Sequence, residues 1–414
     1  MIRKLSRLYE NGDPMKSKET LLLRFFSKIS FLLFLFSQVF FSNTIINQFA
    51  ILFMSAMVGL LCLTYQRVNF HSYFLFTLLL VIQSYVLSIN GVSINPENSL
   101  DMTSTIAINL MVCLIIYNYI IITNSLEESL FSFVKVVVMF TIFIVVLSIP
   151  ELFSGRLGTN ISFNILGREI RYNANSIAIV TGVSFLILIY QFYKTKNKFI
   201  LLTLPWLLLT ILLTGSRKGF LLIFIGTPLL ILLFNPKNKL RNGIVGIIIT
   251  AFLYWLVMNI PFLYNILGYR LEAITGILTD AELEEASMNT RHLLTKRGWE
   301  YFLSSIWEGY GLDNFRNLPG SYGTYSHNNY IELMVSGGLP AIFFFYSIRF
   351  IVLFRLFLLR NRDQMIKLLF VITLLMLILD YGLVSYFERI YLLYFVFAIS
   401  GLTILKNRTK HLNK

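Results

Sequence analysis

Residues 103–123, TSTIAINLMVCLIIYNYIIIT, contain no charged side chain, no proline and no glycine. A helix needs roughly 20 such residues to cross the hydrocarbon core of a bilayer. The apolar positions run on instead of alternating with polar ones, which sets this stretch apart from a barrel strand. Similar runs recur at about 21–41, 45–64, 70–89, 131–153, 175–193, 198–214, 219–234, 242–263, 328–354, 366–384 and 389–405. The whole chain agrees with them, being 414 residues long, 56% hydrophobic and only 14% charged. Its mean hydropathy is +0.71. A water-soluble domain of this length needs more surface charge than that. The sequence therefore reads as an all-α polytopic membrane protein with about twelve transmembrane helices.

Composition narrows the function as well. Cys62 and Cys113 both lie inside apolar runs, so neither a disulfide framework nor a zinc site is expected. The polar, basic first twenty residues and the lack of a small-residue cleavage site after the first apolar run argue against a cleaved signal peptide. A net charge of +14 could point to nucleic acid, but Lys and Arg collect in the cytoplasmic loops of membrane proteins in any case. Most of the 35 Lys and Arg residues fall in the tail 1–20, YKTKNK (193–198), NPKNKLR (235–241), RLFLLRNRDQMIK (355–367) and the tail 406–414, or at span ends beside them. Both termini are then expected in the cytoplasm, and the protein in a bacterial cytoplasmic membrane. The organisation that follows has nine helices within 21–263, with outer loops at 154–174 and 214–219. A large outer segment spans 264–327, and three more helices occupy 328–405.

Some outer loops break this charge rule. The loop 155–175 holds Arg156, Arg168 and Arg171, the turn TGSRKG (214–219) holds Arg217 and Lys218, and segment 264–327 holds Arg270, Arg291, Lys296, Arg297 and Arg316. Cations placed against the insertion bias read either as scattered surface charge or as an anion site at the outer surface. Within the long segment, Leu293, Leu294, Trp299, Phe302, Leu303 and Ile306 repeat at helical spacing from about Thr290 to Trp307, with Arg291, Lys296 and Arg297 among them. Such a helix can lie in the membrane interface, or present guanidinium groups to lipid phosphates. The turn TGSRKGF is too short to carry Arg217 far from the hydrocarbon edge. There its guanidinium can fork onto two phosphate oxygens, helped by the amides of the helix starting near Gly219, or it can simply anchor that helix.

The stretch GTYSHNNYIELMVSGGLP (323–340) turns from polar to apolar within a few residues. Asn328 or Asn329 can cap the helix that follows. Glu332 is an ionisable group inside a span and so a functional candidate. Gly337, Gly338 and Pro340 read as close packing with a kink.

At these residues the chain resembles the O-antigen ligase and O-antigen or capsular polysaccharide polymerase superfamily, membrane glycosyltransferases of the GT-C type. His327-Asn328 followed by Gly338 is similar to the family's outer His motif, and TGSRKGF to its Thr-x-Ser-Arg turn. Arg291 followed by Trp299 resembles the loop-helix signature, and GYGLDNFR (309–316) the Gly-x-Gly-x-x-x-Phe stretch. YNANSIA (172–178) resembles an Asn-Pro-Asn-x-x-Ala span start, with Ala174 in place of Pro. That departure, and Ala341 where Gly is common, bear on acceptor specificity. The resemblance covers about 155–345 and is carried by the order of the motifs.

It implies transfer of a glycan from undecaprenyl diphosphate to an acceptor hydroxyl, with inversion and with no metal or other cofactor. Arg217, Arg291, Arg171 and Lys218 would meet the diphosphate. His327 would serve as general base, with Asn328 and Tyr325 orienting it and Asn175 lining the substrate site. The alternative assignment makes His327 a phosphate donor and Glu332 the base. The partners implied are a lipid-linked oligosaccharide, a glycan acceptor, the bilayer, a flippase and a chain-length regulator, and no nucleic acid. Polymerisation of repeat units is the expected outcome. Ligation to another acceptor, or transport of lipid-linked glycans, are the alternatives.

Overall fold

The computed structural model describes residues 14–42, 44–149, 162–165, 168–234, 238–272 and 286–412. Thirteen helices organise them: α1 (Pro14–Phe40), α2 (Ile45–Thr64), α3 (Ser72–Ile89), α4 (Pro96–Thr123), α5 (Leu126–Leu147), α6 (Ala174–Thr195), α7 (Ile200–Leu213), α8 (Arg217–Phe234), α9 (Lys239–Asn259), α10 (Ala286–Ser304), α11 (Asn329–Leu359), α12 (Gln364–Leu379) and α13 (Arg389–Leu412). Eleven of the described helices are long and apolar enough to cross a membrane. The expected span at 198–214 is α7, which has only 14 residues and rises about 21 Å at 1.5 Å per residue. A short antiparallel hairpin, β1 (Ser162–Ile165) and β2 (Arg168–Arg171), pairs Ser162 with Arg171. The protein is a multi-pass, all-α membrane protein, with this one small exception among the described residues.

Apolar composition decides which helices are central. Most of α6, α12 and α13 is enclosed by other helices, whereas α2 and α9 show most of their side chains outward. Those outward faces carry Phe49, Leu52, Leu63, Leu240, Ile247 and Phe252, a surface apolar enough to face lipid tails. Close approach sets the packing of α8 on α6, where a Cβ on Gly219 would lie 2.5 Å from Ala178 Cβ.

Alternation of the spans brings the loops 90–95, 172–173, 214–216 and 305–328 to one end of the bundle, with the end of α1 and the start of α2. Cross-links at that end hold them together, among them Tyr172 Oη donating to Phe40 O (2.6 Å) and Asn314 Nδ2 donating to Ser93 Oγ (2.6 Å). The opposite end carries the ion pairs Lys28–Glu128, Lys194–Glu127 and Arg408–Asp363. Their side chains are largely exposed, so they contribute little stability.

The last third of the chain is built around a break. Helix α11 is interrupted at Gly337 (φ −145°, ψ 21°) and Gly338 (φ 64°, ψ −157°). Only glycine enters the second of these conformations without strain. The carbonyls freed by the break are taken up by an inserted loop, with Tyr310 N donating to Val335 O and Gly311 N to Ser336 O, both at 2.8 Å. Leu339 N donates to Ile306 O (2.8 Å), and Gln83 Nε2 reaches Gly337 O (2.7 Å). The insertion needs Gly309, because a Cβ there would lie 2.6 Å from Val335 O. The expected kink is thus a docking joint made by the glycine pair. Pro340 falls in the first turn after the break, where a missing N–H costs little.

Helix α10 starts and ends a few residues before the expected 290–307, finishing at Ser304. Its inner face includes Leu294 and Gly298, packed with Phe315 against Ile331 and Val335 of α11, and Phe302 is also buried. Leu293, Trp299 and Leu303 point outward, continued past the helix end by Trp307.

Candidate functional site

Three of the motifs meet at the loop end of the bundle. Asn173 caps α6 by accepting from Asn175 N (2.8 Å). Ala174 occupies the first helical position, which tolerates proline as readily as alanine. Asn175 Oδ1 in turn accepts a bond from Ser216 Oγ (2.8 Å), joining the start of α6 to the turn before α8. That turn bends at Gly215 (φ 59°), and Thr214 Oγ1 accepts from Ser216 N (3.2 Å).

Arg217 and Arg270 then lock the turn from the other side. Arg217 Nη1 donates to Arg270 O (3.1 Å), and Arg270 Nη1 donates to Gly215 O (2.6 Å). Arg270 is one of the outer-loop cations, but no motif marked it as a partner of Arg217. Lys218 runs toward the α12–α13 connection, and a Cβ on Gly382 would lie 3.6 Å from its Cε.

His327 sits just before α11 with φ at +58°, a left-handed conformation that histidine tolerates better than most residues. The tyrosine ring of Tyr325 lies beside it, centroid to centroid 4.4 Å. Burial, followed by the positive charges of Arg291 and Lys218, lowers the His327 imidazole to about 4. It is therefore neutral at physiological pH. Three elements therefore converge here, since Arg291 on α10 and Lys218 on α8 both act on a histidine that precedes α11.

The residues after His327 hold its loop. Asn328 caps α11, its Oδ1 accepting from Tyr330 N (3.0 Å) and Ile331 N (3.3 Å). Asn329 is a cross-tie: its Oδ1 accepts from Ser385 N (2.8 Å) and Tyr386 N (3.0 Å), and its Nδ2 donates to Tyr346 Oη (2.7 Å). Tyr346 and Ser385 both donate to the buried Asp380. Glu332 is 1% exposed, and its Oε2 accepts the backbone N–H of Ser326 (2.8 Å).

Arg171 ends β2, and its side chain lies outside the described residues, as does Arg156 altogether. Of the remaining expected site residues, Asn175 is tied to the Arg217 turn, while Lys218, Arg291, Tyr325 and His327 share one electrostatic neighbourhood.

A bundle of apolar spans with cationic side chains and a histidine gathered at one loop-built end defines a multi-pass membrane protein. Residues 202–346 match the family model described as O-antigen ligase. The matched region contains the Arg217 turn, α10, His327 and the break in α11, and it agrees with the resemblance carried by the motifs. No curated protein matches the chain.

Proposed function

We propose that this protein is a GT-C-type inverting glycosyltransferase that needs no metal and uses an undecaprenyl-diphosphate-linked glycan as donor. The acceptor hydroxyl attacks the anomeric carbon, its proton passes to the neutral imidazole of His327, and the lipid diphosphate departs. Arg217, Lys218 and Arg291, with Arg171 from the neighbouring hairpin, balance the charge that develops on the leaving group. The observation that carries this reading is His327, lying beside Tyr325, within the electrostatic reach of Arg291 and Lys218 at the loop end of the bundle. Glu332 acts as the clamp of the His327 loop, since its carboxylate is buried and engaged with Ser326 N. The positive-inside distribution supports a site on the extracytoplasmic face, where flipped lipid-linked glycans are delivered.

Polymerisation of O-antigen or capsular repeat units is the outcome we propose. Ligation to a different acceptor is the second reading, favoured by the description of the matching family. The test uses purified protein in detergent with a lipid-linked oligosaccharide, followed by mass spectrometry. A ladder of repeat lengths marks a polymerase, a single addition marks a ligase, and His327→Ala should abolish either. Near-normal turnover by that variant would remove the assignment. A transporter would give no covalent product in detergent.

A further inference from the structure

A second feature at the same end of the bundle lies outside the diphosphate cluster. A cavity of about 600 Å³ opens between the ends of α1, α4, α6 and α13, with Phe140 of α5 also in its wall. Its volume falls within the roughly 300–1,000 Å³ of small-molecule sites. Gln38, Thr105, Asn109, Asn173, Ser176 and Glu388 line it, with the rings of Phe140 and Tyr172 alongside.

Its charge is arranged unlike that of the cluster around His327. Arg389, the cation in its wall, is engaged by amides: its Nε donates to Asn109 Oδ1 (2.8 Å), and its Nη1 to Gln38 Oε1 (2.9 Å) and Asn47 Oδ1 (2.8 Å). Asn109 is itself fixed by Nδ2 donating to Phe387 O (2.6 Å). Glu388 differs. Its side chain is accessible although protein surrounds it, as befits the wall of a deep pocket. Loss of solvation pushes its carboxyl pKa up while Arg389 pulls it down. Among the described residues its carboxylate has no hydrogen bond or ion pair.

A carboxylate facing such a space disfavours a diphosphate and favours a neutral ligand rich in hydroxyl donors. The surrounding amides and hydroxyl are donors and acceptors of the kind that read sugar hydroxyls. The cavity also adjoins the reaction centre. Asn173 and Ser176 flank Asn175, which bonds Ser216 beside Arg217. The charge of Glu388 is felt at Tyr325, the ring next to His327.

We propose that this cavity is the saccharide subsite for the acceptor glycan, with Glu388 accepting hydrogen bonds from its hydroxyls. The proposal rests on the transferase reading above and adds where the second substrate lies. It also separates the two subsites by charge: the anionic donor head at Arg217, Lys218 and Arg291, the hydroxyl-bearing sugar of the acceptor at Glu388.

The test is saturation-transfer NMR on the full-length protein in detergent micelles. The probe is free oligosaccharide released by mild acid from the lipid-linked pool, which carries no diphosphate. Wild-type protein and Arg217→Ala should bind it alike. Glu388→Ala, and Thr105→Trp, which fills the cavity from α4, should each raise Kd by roughly tenfold or more, the loss expected for charge-assisted hydrogen bonds. Glu388→Gln, of the same shape, should fall between. Unchanged Kd in both Glu388→Ala and Thr105→Trp would overturn the proposal, as would no binding by wild type or an equal loss in Arg217→Ala. A transfer assay on the same preparations separates the two readings. If wild type makes product but the variants bind glycan normally, only this subsite is wrong. If glycan binding depends on Glu388 but no product forms, the subsite stands and the transferase reading fails.

Discussion

Acidification is the most discriminating probe of His327. A general base works only as the neutral imidazole. At an ordinary value near 6.5, about 3% of an imidazole is neutral at about pH 5. With His327 held at about 4, about 90% is neutral at that pH. The pH profile of kcat/KM should therefore stay nearly flat from about pH 8 to about pH 5 and then fall through one limb centred near 4. The two assignments differ by about thirtyfold at a single pH, well beyond assay error. Two charged groups bear on this limb, Arg291 of α10 and Lys218 of α8. Burial is the largest cause and the cations come second. Arg291→Gln should accordingly move the limb upward without restoring the ordinary value. The assay is product formation by mass spectrometry in detergent, with thermal unfolding followed across the same pH range. A wild-type rate at about pH 5 reduced to a few per cent of the plateau would refute the base assignment. A rate that rises on acidification would instead identify a protonated His327 bound to phosphate.

Three further outcomes are expected. Arg217→Lys should lower turnover by roughly tenfold or more, because an ammonium cannot fork onto phosphate oxygens. Thermal unfolding should show the protein still folded, and a fully active Lys variant would place the diphosphate elsewhere. Glu332→Ala should leave Ser326 N–H unpaired in a buried place, costing about 1–3 kcal/mol, while Glu332→Gln keeps an acceptor and most of the stability. Equal melting temperatures for the two variants would count against the clamp. Gly338→Ala puts a Cβ about 2.3 Å from Ile306 O at a φ of +64°. A loss of more than about 3 kcal/mol is expected, read as a lower melting temperature or failure to accumulate in membranes.

Much of the architecture was legible because hydropathy is a local property. A run such as 103–123 must become a helix wherever it lies in lipid, since no water is present to satisfy its backbone. The span boundaries agree with the described helices to within a few residues at most ends. The larger departures are α4, which begins at Pro96 rather than near 103, and α5, which spans Leu126–Leu147 against the expected 131–153. Local motifs also announced some contacts in general terms, such as the capping of α11 by Asn328.

The site was legible only in part. The basic turn, the loop helix and His327 stand apart in sequence, and their order was readable, but nothing local says that Ser216 bonds Asn175 or that Arg270 locks Gly215. Glu388 carried no signal at all, being one acid in a short connection between two spans. Gly337 and Gly338 read as packing, yet they open α11 to receive residues 306–311. The membrane-spanning helical class and the kinds of side chain at its ends could be read directly from the sequence, because both follow from composition within one helix length. Which of those side chains share a site depends on how the helices pack. Partners as distant as Asn109 and Arg389 meet through packing of whole helices, and the protonation of His327 depends on burial and on charges brought from other elements.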